Sequence, residues 1–271
     1  MLCSHLSVGE GIEPFEPSEW TKLAQILFQS KKQPKDIYNL SETQLSDILR
    51  SSSFEIDRIK RLIDRSASLT FEIEKLNNMG IYIVTRADEK YPKLLKDKIG
   101  NLRPPLFYYA GDIELLNDDF IGIVGSRDVS DEDMEFTKKS VSNAIKQQFS
   151  IVSGGAKGVD TVSTEYAIEK GAAVVEFLSD SMSRKLKASK SIHAIRDGRL
   201  LILSATKPDA GFNVGFAMQR NKYIYAQAMG TVVVKSDYNK GGTWAGALEN
   251  LKHKWSHLYC RKNTNIKEII L

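Results

Sequence analysis

The spacing of hydrophobic residues changes near residue 80, and this change divides the chain into two parts. Before Gly80, apolar residues recur every three or four positions, which is the period of amphipathic helices. After it, short apolar runs alternate with helical patterns, which is typical of an α/β fold. The pattern predicts a small helical N-terminal domain at residues 1–85, followed by an α/β domain at residues 86–271.

The first part predicts three or four short helices. The segment SEWTKLAQILFQS begins with Ser18 and the segment SETQLSDILRS begins with Ser41, and serine is a favoured helix cap. A longer periodic stretch at residues 53–80 ends at Gly80, which is a favoured helix stop. We interpret this part as a helical adaptor, because it is too small and too polar for an active site.

The second part predicts an α/β domain with a doubly wound, mostly parallel sheet. Short strands that alternate with helices indicate a sheet covered on both faces. A basic stretch, SRKLKASKSIHAIRDGR, is interpreted as a connector between two of the strands. The predicted strands are IYIVTR, NLRPPLFYYAGD (as an extended segment), FIGIVGSR, FSIVSGG, AAVVEFL, LLILSA, GTVVVKS and SHLYCRK.

Composition restricts the class of protein. The chain is 42% hydrophobic and 27% charged, which is typical of a soluble globular protein. It has neither a run of about 20 apolar residues nor a signal-peptide pattern, so we expect a cytoplasmic protein without a membrane partner. The two cysteines, Cys3 and Cys260, are far apart and indicate no disulfide framework.

Positive charge is concentrated in the second half of the chain. Residues 151–271 contain 18 Lys and Arg against 10 Asp and Glu, whereas residues 1–150 contain 20 against 24. This asymmetry indicates an anionic partner for the second half, and a merely solvated surface is the alternative.

Three predicted strand ends carry glycines beside basic residues. Ligands of open parallel sheets bind beyond the carboxyl ends of the strands. Glycine lets the backbone approach a ligand, and the start of the next helix offers unpaired N–H groups, so these loops predict a phosphate site. Its residues are Gly125, Ser126 and Arg127 in the first loop, Ser153, Gly154, Gly155, Lys157 and Gly158 in the second, and Lys240, Gly241, Gly242 and Thr243 in the third.

A basic element on a later predicted helix adds Arg220, Asn221 and Lys222 to the phosphate site. We expect Arg127, Lys157 and Arg220 to open onto one pocket. Tyr223 and Tyr225 follow this element, and they are either stacking platforms for unpaired bases or members of the core.

Other site chemistries have little support. No loop matches the P-loop pattern, and no GxGxxG motif follows the first strand of the α/β pattern. The histidines do not have metal-ligand spacing, so we expect no metal, no cofactor and no catalytic residue. Asp160 is predicted to cap a helix or to orient the second loop, and Glu249 is the one carboxylate retained as a catalytic candidate.

At these motifs the chain resembles the DNA-processing protein A family (DprA, also called Smf). The resemblance covers about residues 80–260, and its motifs occur in the family's order. They are Gly125-Ser126-Arg127, SGGAKGVD at 153–160, Arg220-Asn221-Lys222, GGTWAGA at 241–247, and the approach segments YPKLL at 91–95 and PPLFYYAG at 104–111.

The resemblance implies that the α/β domain is an extended Rossmann-like domain. It further implies a non-enzymatic protein that binds single-stranded DNA, forms a homodimer and helps to load a RecA-type recombinase during natural transformation. It also implies that Arg127, Lys157, Arg220 and Lys222 contact phosphates. The alternative is a nucleotide-binding sensor or a LOG-type phosphoribohydrolase, because KGGTWAGALE is loosely similar to the glycine-rich motif of those enzymes. In this chain, however, Glu249 lies six residues after Thr243 rather than three.

Overall fold

The computed structural model describes residues 2–7, 9 and 11–262. It begins with α1 (Pro17–Gln29), a 3₁₀ helix (Pro34–Asn39), α2 (Glu42–Leu49), α3 (Ile56–Asp64) and α4 (Ser66–Asn78).

The helix starts follow local capping chemistry. Ser41 caps α2 as predicted, because its hydroxyl accepts a hydrogen bond from the Gln44 N–H. The predicted cap of α1 at Ser18 is wrong: α1 begins with a proline, and Glu16 is its N-cap. The long periodic stretch divides into α3 and α4 at Arg65, whose guanidinium is buried and donates to the carbonyls of Ser4 and Leu6.

An eight-stranded sheet forms the α/β part, and it confirms the predicted mostly parallel, Rossmann-like fold. The strand order is β1-β2-β6-β5-β4-β3-β7-β8, and only the pairings of β1 with β2 and of β2 with β6 are antiparallel. The strands are β1 (Tyr82–Thr85), β2 (Leu106–Ala110), β3 (Phe120–Val124), β4 (Ser150–Ser153), β5 (Val174–Leu178), β6 (Leu200–Ser204), β7 (Gly230–Val233) and β8 (His257–Cys260).

Helices accompany these strands, and two of them lie in the stretch interpreted as a connector. The stretch does connect β5 with β6, but it also contains two short helices that were not predicted, and the buried Met182 and Ala194 anchor them in the core. The helices are α5 (Lys93–Ile99), α6 (Asp131–Lys146), α7 (Val159–Glu169), α8 (Met182–Lys185), α9 (Ser189–Arg196), α10 (Val214–Gln227) and α11 (Gly241–His253). None of the helices in the described residues is long and apolar enough to span a bilayer.

The N-terminal helices are not independent of the sheet. Leu69 and Leu76 of α4 belong to the same buried cluster as Ile151 and Ile202 of the sheet, while α1, α2 and α3 have a hydrophobic cluster of their own. Strand β1 also lies before the predicted boundary but pairs with β2. The division after residue 85 therefore stays a prediction.

The strand order reverses at β3. The chain passes from β3 through β4 and β5 to β6 on one side, and then crosses to β7 and β8 on the other side. Such a switch point leaves a crevice at the carboxyl ends of the strands. The first and third glycine loops follow β3 and β7, so both lie at this crevice.

Candidate anion-binding site

A cavity of about 410 Å³ lies at the switch point. Residues of the first loop, the third loop and α10 line it, so distant parts of the sequence meet there. The predicted residues in its lining are Gly125, Ser126, Arg127, Arg220, Asn221, Lys240, Gly241, Gly242 and Thr243. The predicted residues outside the lining are Ser153, Gly154, Gly155, Lys157, Gly158 and Lys222.

Hydrogen bonds connect the segments around the cavity. The Thr243 hydroxyl donates to the Gly125 carbonyl at 3.0 Å, which joins the third loop to the first. The Asn221 side-chain amide donates to the Gly242 carbonyl at 3.1 Å, which joins α10 to the third loop. Thr243 and Asn221 therefore hold the walls of the cavity in place.

The second glycine loop supports the first. Ser153 is fully buried, and its hydroxyl donates to a carbonyl of β3 at 2.7 Å. Gly158 has φ +81°, and a Cβ there would lie 2.7 Å from the Arg127 Cα and would overlap the Ser126 carbonyl oxygen. Only glycine allows the two loops to approach this closely, so the second loop determines where Arg127 lies.

We expect Gly158→Ala to lower the free energy of unfolding by about 3 kcal/mol or more, since a positive φ and a backbone clash act together. Gly171→Ala is the matched control, because Gly171 has φ +80° but no atom within 4 Å of the added Cβ. Urea denaturation of both variants measures the difference. Equal losses would show that the contact between the loops contributes nothing.

Arg220 is buried beneath the second loop. Its guanidinium Nη1 lies 3.4 Å from Asp160 Oδ2, and the two residues are 6% and 5% exposed. A Cβ on Gly154 would overlap this guanidinium, so a glycine is required there. Burial raises the pKa of Asp160, while the Arg220 charge acts in the opposite direction. Asp160 also accepts from the Ala156 N–H at 3.4 Å, as expected of a residue that orients the loop.

Two of the predicted cations lie outside the cavity. Lys157 is exposed, so the expectation of one pocket holds for Arg127 and Arg220 but not for Lys157. Lys222 pairs with Glu249 at 3.2 Å on another part of the surface of α10. Glu249 is likewise absent from the cavity lining, which separates the one catalytic candidate from the glycine loops.

The exposed positive groups of the cavity are Arg127 and Lys240. Lys240 is the N-cap residue of α11, and no side chain caps this helix, whereas Asn213 caps α10 and Ser130 caps α6. The first N–H groups of α11 are therefore available to a ligand oxygen. Asp160 and Asp237 also line the cavity, and Asp160 is offset by its pairing with Arg220.

The deeper wall of the cavity carries donors without a partner. The Tyr225 hydroxyl and the Arg220 Nε are both buried, and neither has a hydrogen-bond partner among the described residues. Burial raises the pKa of Tyr225, which keeps its hydroxyl protonated. Both atoms are enclosed by protein and do not contact the open part of the cavity, so only the exposed groups of the cavity can contact a ligand.

The aromatic residues differ from the sequence-based interpretation. Tyr223 and Tyr225 are 2% and 1% exposed, so stacking on bases is wrong for both and core packing is correct. Sequence reasoning missed Phe212, which is 52% exposed and lies in the cavity lining. The only available signal was an aromatic residue beside Gly211 in a loop between a strand and a helix.

Comparison with known proteins gives matches over the same region. The family model described as DNA recombination-mediator protein A matches residues 82–261. The DNA processing protein DprA of Streptococcus pneumoniae is 25% identical over 207 residues, which cover 76% of this chain and 68% of that protein.

Two solved structures share the fold. The X-ray structure of DNA processing protein A from Streptococcus pneumoniae has a TM-score of 0.70 at 22% identity, and the match covers 93% of this chain and 88% of that chain. The structure that describes the single-stranded DNA binding mode of DNA processing protein A from Helicobacter pylori has a TM-score of 0.56 at 23% identity. That match covers 69% of this chain and 83% of that chain.

Proposed function

Because the chain belongs to the DNA recombination-mediator protein A family, we propose that it is a DNA-processing protein that binds single-stranded DNA in the cavity at the switch point. The observation that carries the proposal is the uncapped start of α11, which faces the same cavity as Arg127 and Lys240. Backbone amides and exposed cations bind phosphate regardless of the base attached to it.

In this proposal Arg127 and Lys240 contact neighbouring phosphates, and the N–H groups of Gly241, Gly242 and Thr243 bind the oxygens of one of them. Lys157 contributes from the rim, because its neighbour Ala156 lines the cavity. Arg220 and Lys222 act through position rather than direct contact, since carboxylates already neutralise both.

The cellular role follows the family resemblance. The protein acts in the cytoplasm as a homodimer without an enzymatic reaction, and it helps to load a RecA-type recombinase onto the bound strand. Purified protein should therefore increase the rate at which such a recombinase assembles on single strands. An unchanged rate at saturating protein would contradict the loading role without affecting the proposed DNA site.

Binding itself is tested by titrating labelled oligo-dT, a duplex of the same length and AMP against the protein at two salt concentrations. We expect oligo-dT to bind most tightly and to weaken as salt rises, because neutralised phosphates release counterions. Tight binding of AMP together with weak binding of oligo-dT would favour a nucleotide sensor. Release of free base from a nucleoside monophosphate, abolished by Glu249→Ala, would favour the phosphoribohydrolase.

A further inference from the structure

Two exposed aromatic groups flank the cavity. Phe212 lies in its lining, and the Arg127 guanidinium lies over the Phe212 ring at 4.6 Å from the centroid. Phe212 remains 52% exposed, and a Cβ on the neighbouring Gly211 would have no atom within 4 Å. The ring therefore stands on an open loop with Arg127 against one face.

The second group lies in the loop between β7 and α11. Tyr238 is 56% exposed and makes an edge-to-face contact with Trp244 at 5.1 Å between ring centroids. Neither ring is part of the cavity lining, but Asp237 and Lys240, which flank Tyr238 in the sequence, and Thr243, which precedes Trp244, all line it. Trp244 holds the Tyr238 ring, while the rest of that ring stays accessible.

These loops start from strands that lie on opposite sides of the switch at β3. The loop that carries Phe212 follows β6, and the loop that carries Tyr238 follows β7, while β5, β4 and β3 lie between the two strands. A strand that threads its phosphates past Arg127 and Lys240 therefore meets an aromatic ring on each side. Unpaired bases stack on exposed aromatic faces that lie beside a phosphate-binding groove.

We propose that Phe212 with Arg127, and Tyr238 with Trp244, are two base-stacking platforms for unpaired nucleobases on either side of the phosphate cavity. The inference rests on the proposed function, since it concerns the bases of the strand whose phosphates the cavity holds. A guanidinium that lies flat on a ring still has the N–H groups along its edge free for hydrogen bonds. Arg127 therefore binds a phosphate through its edge and forms part of the base-stacking platform through its face. Paired bases hide their faces, so the platforms select single strands over duplex.

The test compares oligo-dT with an abasic strand of the same length, which has the phosphates and no bases. Stacking is worth about 1–3 kcal/mol per base, so the wild-type protein should bind oligo-dT at least about ten-fold more tightly. Phe212→Leu and Tyr238→Leu should each reduce this ratio about five-fold or more, because oligo-dT loses more affinity than the abasic strand does. Phe212→Trp should retain the ratio, because it keeps a stacking surface.

Phe71→Leu is the matched control, since Phe71 is 72% exposed on α4 and is not part of the cavity lining. It should leave both affinities unchanged. Equal wild-type affinity for the two strands, or an unchanged ratio in Phe212→Leu and Tyr238→Leu, would overturn the stacking platforms and leave the phosphate site intact. Failure of the wild-type protein to bind either strand would overturn both proposals.

Discussion

Replacing Arg220 with methionine should lower the free energy of unfolding by about 3–5 kcal/mol at neutral pH, because the substitution leaves a buried carboxylate without its cation. Asp160 is 5% exposed, and its Oδ2 has the Arg220 guanidinium at 3.4 Å. Methionine keeps the aliphatic stem of arginine but lacks the guanidinium, so the loss combines the unpaired charge with some packing, which the double variant below separates. Urea denaturation monitored by circular dichroism measures it.

The destabilisation should depend on pH in a defined direction. Burial already raises the pKa of Asp160, so the folded state holds this proton at pH values where the unfolded chain has lost it. Stability then falls as pH rises through the interval between the unfolded and folded pKa values. Removing Arg220 raises the pKa of Asp160 in the folded state further. Stability therefore falls over an interval that extends to higher pH. The deficit of Arg220→Met should therefore be smaller at about pH 5 than at neutral pH.

The double variant Arg220→Met/Asp160→Asn separates this explanation from loss of packing. It has no carboxylate at position 160, so it should recover most of the lost stability at neutral pH and lose the pH dependence that Asp160 causes. Arg184→Met is the control, because the Arg184 side chain is 73% exposed. A double variant as unstable as Arg220→Met at every pH would show that the Asp160 charge is not the cause.

The second large effect concerns DNA affinity. We expect the double variant Arg127→Ala/Lys240→Ala to bind oligo-dT at least about 30-fold more weakly, because it loses two charge-assisted phosphate contacts. Both side chains are exposed, so the fold should be unaffected. Fluorescence anisotropy with labelled oligo-dT measures the affinity.

Arg50→Ala/Lys75→Ala removes the same charge from the exposed surface of the N-terminal helices and serves as the matched control. It should reduce affinity only slightly, through the net charge. Equal weakening in the two double variants would mean that overall charge, and not the cavity, attracts the strand.

The fold was largely predictable because its signals are local. Apolar runs such as FIGIV are long enough to indicate buried strands. Ser41 marks the start of a helix because its hydroxyl accepts a hydrogen bond from Gln44, only three residues away. The two helices in the basic connector were missed because few buried residues anchor them. Resemblance to the family was also visible in the ordered motifs, and the family match confirms it.

The site was predictable only in part, because the sequence does not show which cationic side chains form ion pairs with carboxylates. The glycine loops indicated where backbone approaches backbone, and Arg127 and Lys240 do line the cavity. Arg220 and Lys222 had the same appearance in the sequence, yet Asp160 lies 60 positions from Arg220 and Glu249 pairs with Lys222. Only the fold shows which cations are already neutralised.

The sequence also did not show which aromatic side chains are exposed. Tyr223 and Tyr225 stand beside charges in the sequence, but helix α10 turns both into the core. Phe212 lies outside any periodic pattern, so nothing in the sequence indicated that Arg127 would lie against it. Loop conformation determined this contact, and hydrophobic spacing carries no information on it.

The most direct test of the phosphate cavity is the salt dependence of oligo-dT binding for the wild-type protein and Arg127→Ala/Lys240→Ala. Each phosphate contact with a single strand contributes about 0.7 to the slope of log affinity against log salt concentration. The account predicts that the double variant loses about 1.4 from the magnitude of this slope. A slope and an affinity that equal those of the wild type would contradict it, because the strand would then bind elsewhere on the protein.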